Sequence, residues 1–315
     1  MRKHAVTLGL YDCPVTKSDR FSVYDCRIGG FPIFPIDGYD KILESLCCSI
    51  CGCKMYFLLQ IYCPTEEKER FIYVFCCNKF KCSLNGEKGW KIVKISLDFC
   101  KGITNTEELA PITFDKEVSL NELNDLFDKK LQTVKQVPST PIDLPSFQCS
   151  SYPNQYEGHF IYVKEETKEK KESSSEFANV PISNGQDNEL DNFFDNFSSV
   201  SQIPEEYKKF QKIIAKNPTQ LLRYDINGEP LKVIPPRSDV VTNDLVCSCG
   251  KKKRFECQLI STIISVLNCE SSIYTGVEND SLTESYGMDW DSVKIYTCPD
   301  DCSSISFESC IVDKL

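Results

Sequence analysis

Cysteine is the residue type with the clearest chemical potential in this sequence, because the 315 residues contain 19 of them. One group comprises a CxxC pair, Cys48 and Cys51, which Gly52 follows, and a second pair, Cys77 and Cys82, beyond an apolar run. Four thiolates at ~2.3 Å around Zn²⁺ make a closed structural site. The spacing therefore predicts that these four cysteines bind one zinc ion.

A second cysteine group lies near the other end of the sequence. Cys247 and Cys249 precede a long gap, after which Cys298 and Cys302 follow. CxC with CxxxC is less standard than two CxxC pairs, but each pair lies at a turn beside a strand-like segment. We predict a second all-sulfur zinc site here, and hence two structural zinc ions per chain.

The remaining cysteines have other predicted roles. Cys47, Cys53 and Cys76 lie beside the first group, and each could replace one of its predicted ligands. Cys13, Cys26, Cys63 and Cys100 are expected to be small apolar residues of the core, and Cys257, Cys269 and Cys310 core or surface thiols.

Catalytic chemistry is not indicated. A catalytic zinc keeps an open position and usually has histidine or carboxylate ligands, whereas only His4 and His159 exist and neither is near a cysteine group. His159 is expected to be a histidine on a strand face. The sequence lacks GxGxxG, Walker, GxSxG and HExxH motifs, and it lacks the H-x-E element of a zinc deaminase. We predict no enzymatic activity.

Charge and hydropathy restrict the partners. The formal net charge is −10 and the pI is about 5.0, which favours a basic partner over nucleic acid, whose binders neutralise phosphates. No run approaches the ~18 apolar residues of a membrane span. The first eight residues lack the apolar core of a signal peptide. We therefore expect a cytoplasmic protein with reduced thiols.

Both ends of the chain must fold around the cysteine pairs. Apolar β-branched and aromatic runs predict strands at Val6–Tyr11, Tyr56–Tyr62, Phe71–Phe75, Trp90–Ile95 and Asp291–Thr297. A helix is predicted from Pro204 to before Pro218, a hairpin of Thr219–Tyr224 with Pro230–Ile234 around Asn227-Gly228, and a helix at Gln258–Leu267. No tandem repeat is evident, but both ends share one plan: a cysteine pair, a strand-rich stretch, and a second cysteine pair.

A change of composition separates the two ends. No Lys or Arg occurs from Glu172 through Tyr207, whereas acids recur there. The predicted fold is α+β and mainly β, with two zinc-stapled β-rich modules that pack together. Its parts are an N-terminal zinc-binding domain (1–164), an acidic flexible linker (165–202) and a C-terminal zinc-binding domain (203–315).

Two short segments have alternative interpretations. Val118–Phe127 has helical apolar spacing, which favours one packed amphipathic helix and also resembles a nuclear export signal, so shuttling to the nucleus stays open. Leu190–Phe197 is either a docking helix or a solvated aromatic patch.

Several segments together resemble the programmed cell death protein 2 family, which includes its "-like" branch and the 20S rRNA accumulation protein. In the first half these are Val6–Leu10, Ile28–Pro32, Cys48–Cys53, Leu58–Pro64, and Tyr73–Cys77 with Cys82. In the second half they are Phe210–Lys212, Pro218–Tyr224, Gly228–Leu231, Cys249-Gly250, Arg254–Glu256 with Gln258, Met288–Trp290, and Tyr296–Cys298 with Cys302. The chain departs from the family at Lys232, Cys257, Ser261 and Asp291, where Trp, Phe, Pro and Gly are usual.

The resemblance implies a function that composition alone does not. Members look like dedicated chaperones of one basic small-subunit ribosomal protein, of the S5/S2 class, which they hold until it joins the pre-40S particle. The alternative is a zinc-finger adaptor that binds RNA or pre-ribosomal particles directly, which the basic run Lys251–Arg254 favours.

Overall fold

The computed structural model describes residues 5–98, 144–166, 203–233, 245–269 and 286–315. The strands in these ranges are β1 (Thr7–Pro14), β2 (Arg27–Ile28), β3 (Ile33–Phe34), β4 (Tyr56–Tyr62), β5 (Lys68–Cys76), β6 (Trp90–Asp98), β7 (Phe147–Gln148), β8 (His159–Glu165), β9 (Gln220–Tyr224), β10 (Arg254–Ile260), β11 (Ser292–Thr297) and β12 (Ile305–Asp313). The helices are α1 (Asp40–Ser45), α2 (Phe80–Ser83), α3 (Gly86–Gly89), α4 (Glu205–Ala215) and α5 (Thr262–Val266). The predicted mainly β fold with few helices is confirmed. No described helix is long and apolar enough to cross a membrane.

Most of the strands belong to one closed barrel. Its order is β1-β8-β2-β4-β5-β6-β12-β11-β10-β9, and β9 pairs back onto β1. All pairings in it are antiparallel. Strands that precede residue 165 and strands that follow residue 203 therefore share a single sheet, joined through β6–β12 and β1–β9.

The barrel contains the same three-stranded unit twice. In each unit a cysteine loop leads into an antiparallel pair of strands, a second cysteine loop follows, and a third strand ends the unit. These strands are β4-β5-β6 in one unit and β10-β11-β12 in the other, where α5 follows β10. The third strands, β6 and β12, lie side by side. Each first loop is closed by an isolated bridge, Cys47 with Lys54 and Val246 with Lys252.

Apolar side chains from both units fill the barrel. Trp90 and Trp290 are buried and meet edge to face, with ring centroids 5.7 Å apart. Around them lie Leu59, Ile72, Val74, Ile92, Leu222, Leu259, Val293 and Ile295. A second cluster covers the outer faces of β5 and β6 and includes Phe34, Phe57, Phe71, Tyr73 and Phe75. Both faces of β5 and β6 are thus buried, which explains their nearly continuous apolar sequences.

Several sequence predictions agree with these elements and two are wrong. Asn227-Gly228 does turn the chain, with Asn227 at a φ of 63°, but β9 pairs with β10, and residues 230–233 form no strand. The predicted helix at 258–267 is instead the end of β10 followed by α5, because Gln258–Ile260 pair with β11. The acidic stretch 167–202 and the segments 118–127 and 190–197 lie outside the described residues.

Candidate metal centres

A tight loop positions the first cysteine pair. The N–H of Cys48 donates to the carbonyl of Cys53, and that of Gly52 to the carbonyl of Cys48, both at 2.9 Å. Gly52 has a φ of +70°, a left-handed conformation that glycine adopts without a Cβ clash. The loop turns both Cys48 and Cys51 toward the end of β5.

The second pair comes from the end of β5 and from α2. Successive residues of a strand point to opposite faces, so Cys76 lies in the barrel interior while Cys77 lies in the outer cluster. The sulfurs of Cys51 and Cys77 are 3.6 Å apart. The Sγ atoms of Cys48, Cys51, Cys77 and Cys82 all lie within 4.8 Å of one another.

The second cysteine group has the corresponding construction. The N–H of Gly250 (φ +84°) donates to the carbonyl of Cys247 at 2.8 Å. The sulfurs of Cys247 and Cys302 are 3.5 Å apart, and those of Cys249 and Cys298 are 3.7 Å apart. Cys247, Cys249, Cys298 and Cys302 also lie within 4.8 Å of one another. The structure thus brings together both predicted sets of four cysteines.

Both groups have the dimensions of a tetrahedral thiolate site. Four sulfurs at ~2.3 Å from one ion are about 3.8 Å apart along each edge. The three shortest pairs described above are 3.5 to 3.7 Å apart, and no pair of ligand sulfurs within a group is more than 4.8 Å apart. Four soft thiolates select zinc, copper(I) or iron–sulfur centres over hard cations. Neither group includes a histidine or carboxylate among the described residues. Each could hold one such ion and leave no protein ligand position open.

In each group the surroundings lower the pKa of one thiol and raise that of another. A backbone hydrogen bond at Cys249, together with neighbouring thiols, lowers the pKa of Cys247 to about 6 against the effect of burial, whereas the hydrogen bond to Cys247 raises the pKa of Cys302 to about 12. In the first group, hydrogen bonds overcome burial and lower the pKa of Cys51 to about 7, while burial and neighbouring thiols raise that of Cys82 to about 12. A bound divalent cation would supply the charge that lets the other thiols ionise.

The other cysteines have varied surroundings. Cys76 is buried inside the barrel, Cys47 is half-buried, and Cys53 is exposed. Cys63 is buried as predicted, but Cys13 is exposed, in the part of β1 where the register with β8 shifts between Tyr11 and Pro14. Cys26 is half-buried, and Cys257, Cys269 and Cys310 are core thiols. Cys100 lies outside the described residues.

The sequence analysis missed a chain of buried charges at one end of the barrel. Arg70 forms a bidentate pair with Glu256, at 2.7 and 2.8 Å, and its Nε lies 2.9 Å from Asp301. Lys94 lies 2.7 Å from Asp301 and 2.9 Å from Glu308.

Lys253 completes this ion chain, 3.2 Å from Glu308. All six side chains are buried, and positive and negative charges alternate along the chain. The hydroxyls of Tyr224 and Thr297 donate further hydrogen bonds to Glu256.

The ion chain connects the two halves of the barrel to the second cysteine loop. Arg70 and Lys94 lie on β5 and β6, whereas Asp301 lies between Cys298 and Cys302. Arg70 and Lys94 act, against burial, to lower the pKa of the Asp301 carboxyl. The sequence signal for these buried charges was Lys94, which lies within the apolar run 92–95. The same pattern is also typical of a strand with one solvated face, so it did not identify a buried charge.

A polar cleft of about 880 Å³ opens at the same end of the barrel. Its walls are the start of β1, the β4–β5 turn, the turn after β9, and the loop at Pro299–Asp301. The carboxylates that line the cleft outnumber the basic groups: Glu66, Glu67, Asp225, Asp300 and Asp301 against Lys68 and Arg254. Asp300 pairs with Lys251, and Asp301 pairs with Arg70 and Lys94. The negative charge that the cleft presents therefore comes mainly from the exposed Glu66 and Glu67 of the β4–β5 turn.

His159, the one histidine among the described residues, lies in the wall of the barrel. His159 begins β8, is buried, and lies 5.6 Å from the ring of Tyr11. Burial lowers its pKa. Its surroundings are those of a strand-face histidine, as predicted.

The fold and the two cysteine groups define a barrel protein of two similar units, each with one possible metal centre. Two sequence models, "Programmed cell death protein 2, N-terminal domain" and "Programmed cell death protein 2, C-terminal putative domain", match residues 5–103 and 204–313. The chain belongs to the programmed cell death protein 2 family.

Curated relatives cover nearly the whole chain. Programmed cell death protein 2-like from Homo sapiens is 24% identical over 94% of this chain and 91% of the relative. "Probable 20S rRNA accumulation protein 4" from Schizosaccharomyces pombe is 24% identical over 94% and 92%, and programmed cell death protein 2 from Rattus norvegicus is 23% identical over 90% and 88%. No solved structure matches the chain.

Proposed function

We propose that the protein acts in ribosome biogenesis as a dedicated chaperone or adaptor of a basic small-subunit ribosomal protein of the S5/S2 class. It would bind this client without catalysis and deliver it to the pre-40S particle. The observation that carries the proposal is the similarity, over 94% of the chain, to a relative named for 20S rRNA accumulation. We further propose a cytoplasmic location with shuttling to the nucleus.

Electrostatics support a basic client. The chain has a formal charge of −10, and five of the seven charged residues that line the cleft are carboxylates. A holder of this charge attracts a basic protein and screens it from adventitious RNA until rRNA competes for it. Release by rRNA then requires no nucleotide and no chemical step.

Zinc is the metal we propose for both cysteine groups, with a structural role. Two members of the second group, Cys298 and Cys302, lie in the loop that also supplies Asp301 to the ion chain. A metal that fixes this loop would hold the carboxylate against Arg70 and Lys94, and so brace the wall of the cleft. Elemental analysis of the purified protein is expected to find two zinc ions per chain; a value well below one would contradict the assignment.

Direct RNA binding through residues 251–254 is the weaker candidate. Lys251 pairs with Asp300, and Lys253 is buried against Glu308. Arg254 directs a guanidinium N–H toward Asn227 at 3.4 Å. These cations already have partners, so the run presents less free positive charge than its sequence indicates.

Co-expression tests the proposal directly. The S5/S2-class protein is expected to be insoluble when expressed alone and soluble when expressed with this protein, and to co-purify with it. An unrelated basic ribosomal protein serves as the control, because attraction by charge alone would solubilise both. A client that stays insoluble, together with recovery of bare RNA, would refute the chaperone proposal and favour the RNA adaptor.

A further inference from the structure

Part of one edge of strand β8 is free of strand partners among the residues that the structure describes. One edge pairs with β1 along its whole length, from Ile161 opposite Tyr11 to Glu165 opposite Thr7. The other edge pairs only with the two residues of β2, at His159 and Phe160. Beyond Ile161, whose N–H donates to the carbonyl of Cys26 at 3.0 Å, no described strand follows.

The free edge presents a regular set of backbone groups. The N–H of Glu166 donates to Val6, so in this antiparallel ladder residues 162, 164 and 166 face β1. Val163 and Glu165 consequently direct their N–H and C=O groups away from β1. Among the described residues no partner approaches these four groups, which is the arrangement that an added strand requires.

The side chains along this edge are exposed, as expected where no described strand covers them. Val163 lies opposite Gly9, and a Cβ on Gly9 would touch Ile161 and Leu222 of the interior. Val163 therefore belongs to the face that points into the barrel, yet 47% of it is exposed. The neighbouring Tyr162 is 57% exposed. Beyond the two residues of β2, no described strand therefore lies between β8 and β4.

The free part of the β8 edge, at Val163 and Glu165, leads toward the acidic cleft. Thr7 lines the cleft and pairs with Glu165 on one side and with Tyr224 on the other. Because neighbouring strands are ~4.8 Å apart, a strand added to β8 would end beside the carboxylates of the β4–β5 turn, Glu66 and Glu67. The negative charge of these carboxylates disfavours an acidic segment and favours one that contains lysine or arginine.

We propose that the free edge of β8 binds an extended basic polypeptide segment as an additional strand, whose cationic side chains face the acidic cleft. In the cell this segment would belong to the ribosomal client, so the identity of the natural partner rests on the proposed function. The binding mode itself rests on the edge and the cleft. Backbone pairing supplies affinity with little dependence on sequence, and the cleft supplies the preference for positive charge.

A synthetic peptide tests the binding mode with the full-length protein. The probe is a fluorescein-labelled ten-residue peptide of alternating lysine and valine, measured by fluorescence anisotropy. We expect binding that weakens at least tenfold when the peptide is N-methylated along the edge that faces β8, and no binding of a glutamate–valine peptide. Equal affinity for the methylated and unmethylated peptides, or no binding of the lysine–valine peptide, would overturn the proposal.

Variants of Val163 provide the matched pair. Val163→Pro removes an outward N–H that β1 does not use, and proline is tolerated at a strand edge, so we expect at least tenfold weaker peptide binding. Val163→Thr keeps the N–H and the β-branch, and is expected to bind within twofold of the wild type. Circular dichroism checks that both variants are folded. Equal binding by the two variants would refute the edge as the site.

The same pair distinguishes this inference from the proposed function. If the ribosomal client co-purifies equally with Val163→Pro and Val163→Thr, the docking mode is wrong and the chaperone proposal stands. If the peptide binds through the edge but the wild-type protein does not capture the client, the docking mode stands and the proposed client is wrong.

Discussion

Removing Arg70 from the buried ion chain should destabilise the barrel strongly. Arg70→Met leaves Glu256 with only its hydroxyl donors and leaves Asp301 with only Lys94. Breaking a buried ion pair from one side typically costs about 3–5 kcal/mol, because a charge stays buried without its partner. Arg70 pairs with two carboxylates, which increases the loss, but both carboxylates keep other partners, which limits it. We therefore expect a loss of about 4 kcal/mol in the free energy of unfolding.

Urea unfolding followed by tryptophan fluorescence measures this loss. Trp90 and Trp290 are the two tryptophans of the chain and both lie in the barrel interior, so their emission reports barrel opening. The pair of half-buried Lys208 and exposed Glu205 on α4 gives the control: Lys208→Met should change the free energy of unfolding by less than about 0.5 kcal/mol.

A double-mutant cycle tests the pairing itself. Glu256→Gln removes the negative partner, and we expect it to cost about 3 kcal/mol alone. The double variant Arg70→Met/Glu256→Gln should lose about 2 kcal/mol less free energy of unfolding than the two single variants lose together. The reason is that it leaves fewer buried charges without a partner. If the two losses simply add, or if Arg70→Met behaves like the surface control, the ion chain does not stabilise the barrel as the geometry indicates.

Three further predictions concern the cysteine groups and pH. Cys51→Ser should lose about one zinc per chain and lower the melting temperature strongly, whereas Cys13→Ser, at an exposed thiol, should retain both; elemental analysis and thermal melts check this. Gly89→Ala should also weaken the first site, because a Cβ there would lie 1.8 Å from the carbonyl oxygen of Cys82, and zinc titration with a chelator should show faster release. Burial raises the pKa of Glu256, but Arg70 lowers it by more, so the folded-state pKa lies below the ordinary value. The ionised Glu256 therefore stabilises the fold fully above the unfolded-state pKa of about 4.3. This stabilisation is lost as the pH falls through the lower folded-state pKa. The stability difference between wild type and Glu256→Gln should therefore be constant between about pH 5 and 7 and shrink below about pH 4; a difference that grows with acidity would contradict the pairing.

Local features of this chain could be predicted from its sequence, and long-range pairing could not. Tyr56–Tyr62 is a strand with the predicted bounds, because its residues favour a pleated, buried surface. The cysteine pairs were recognisable from their spacing, and the two sets of four converge as expected. The pairing of β6 with β12 has no local signal, so the single barrel was not foreseen.

The interior charges were hidden for a related reason. A charged residue between apolar neighbours, as at Lys94, ordinarily indicates a strand with one solvated face. Here the second face is buried as well, and the charge is neutralised by Asp301 and Glu308, which lie far along the sequence. Recognising such a residue requires knowledge of its partner.

The long sequence separation between β6 and β12 has a consequence for biosynthesis. β6 is complete at residue 98, yet the partner of its outer edge begins only at Ile305. Until then a nascent chain carries an unpaired strand edge, and Arg70 and Lys94 await their carboxylates. Contacts of such long sequence separation form slowly, and an open edge is a template for aggregation. The barrel can therefore close only after β12 has left the ribosome, and a premature stop before β12 would leave β6 and β11 with open edges that are prone to aggregate.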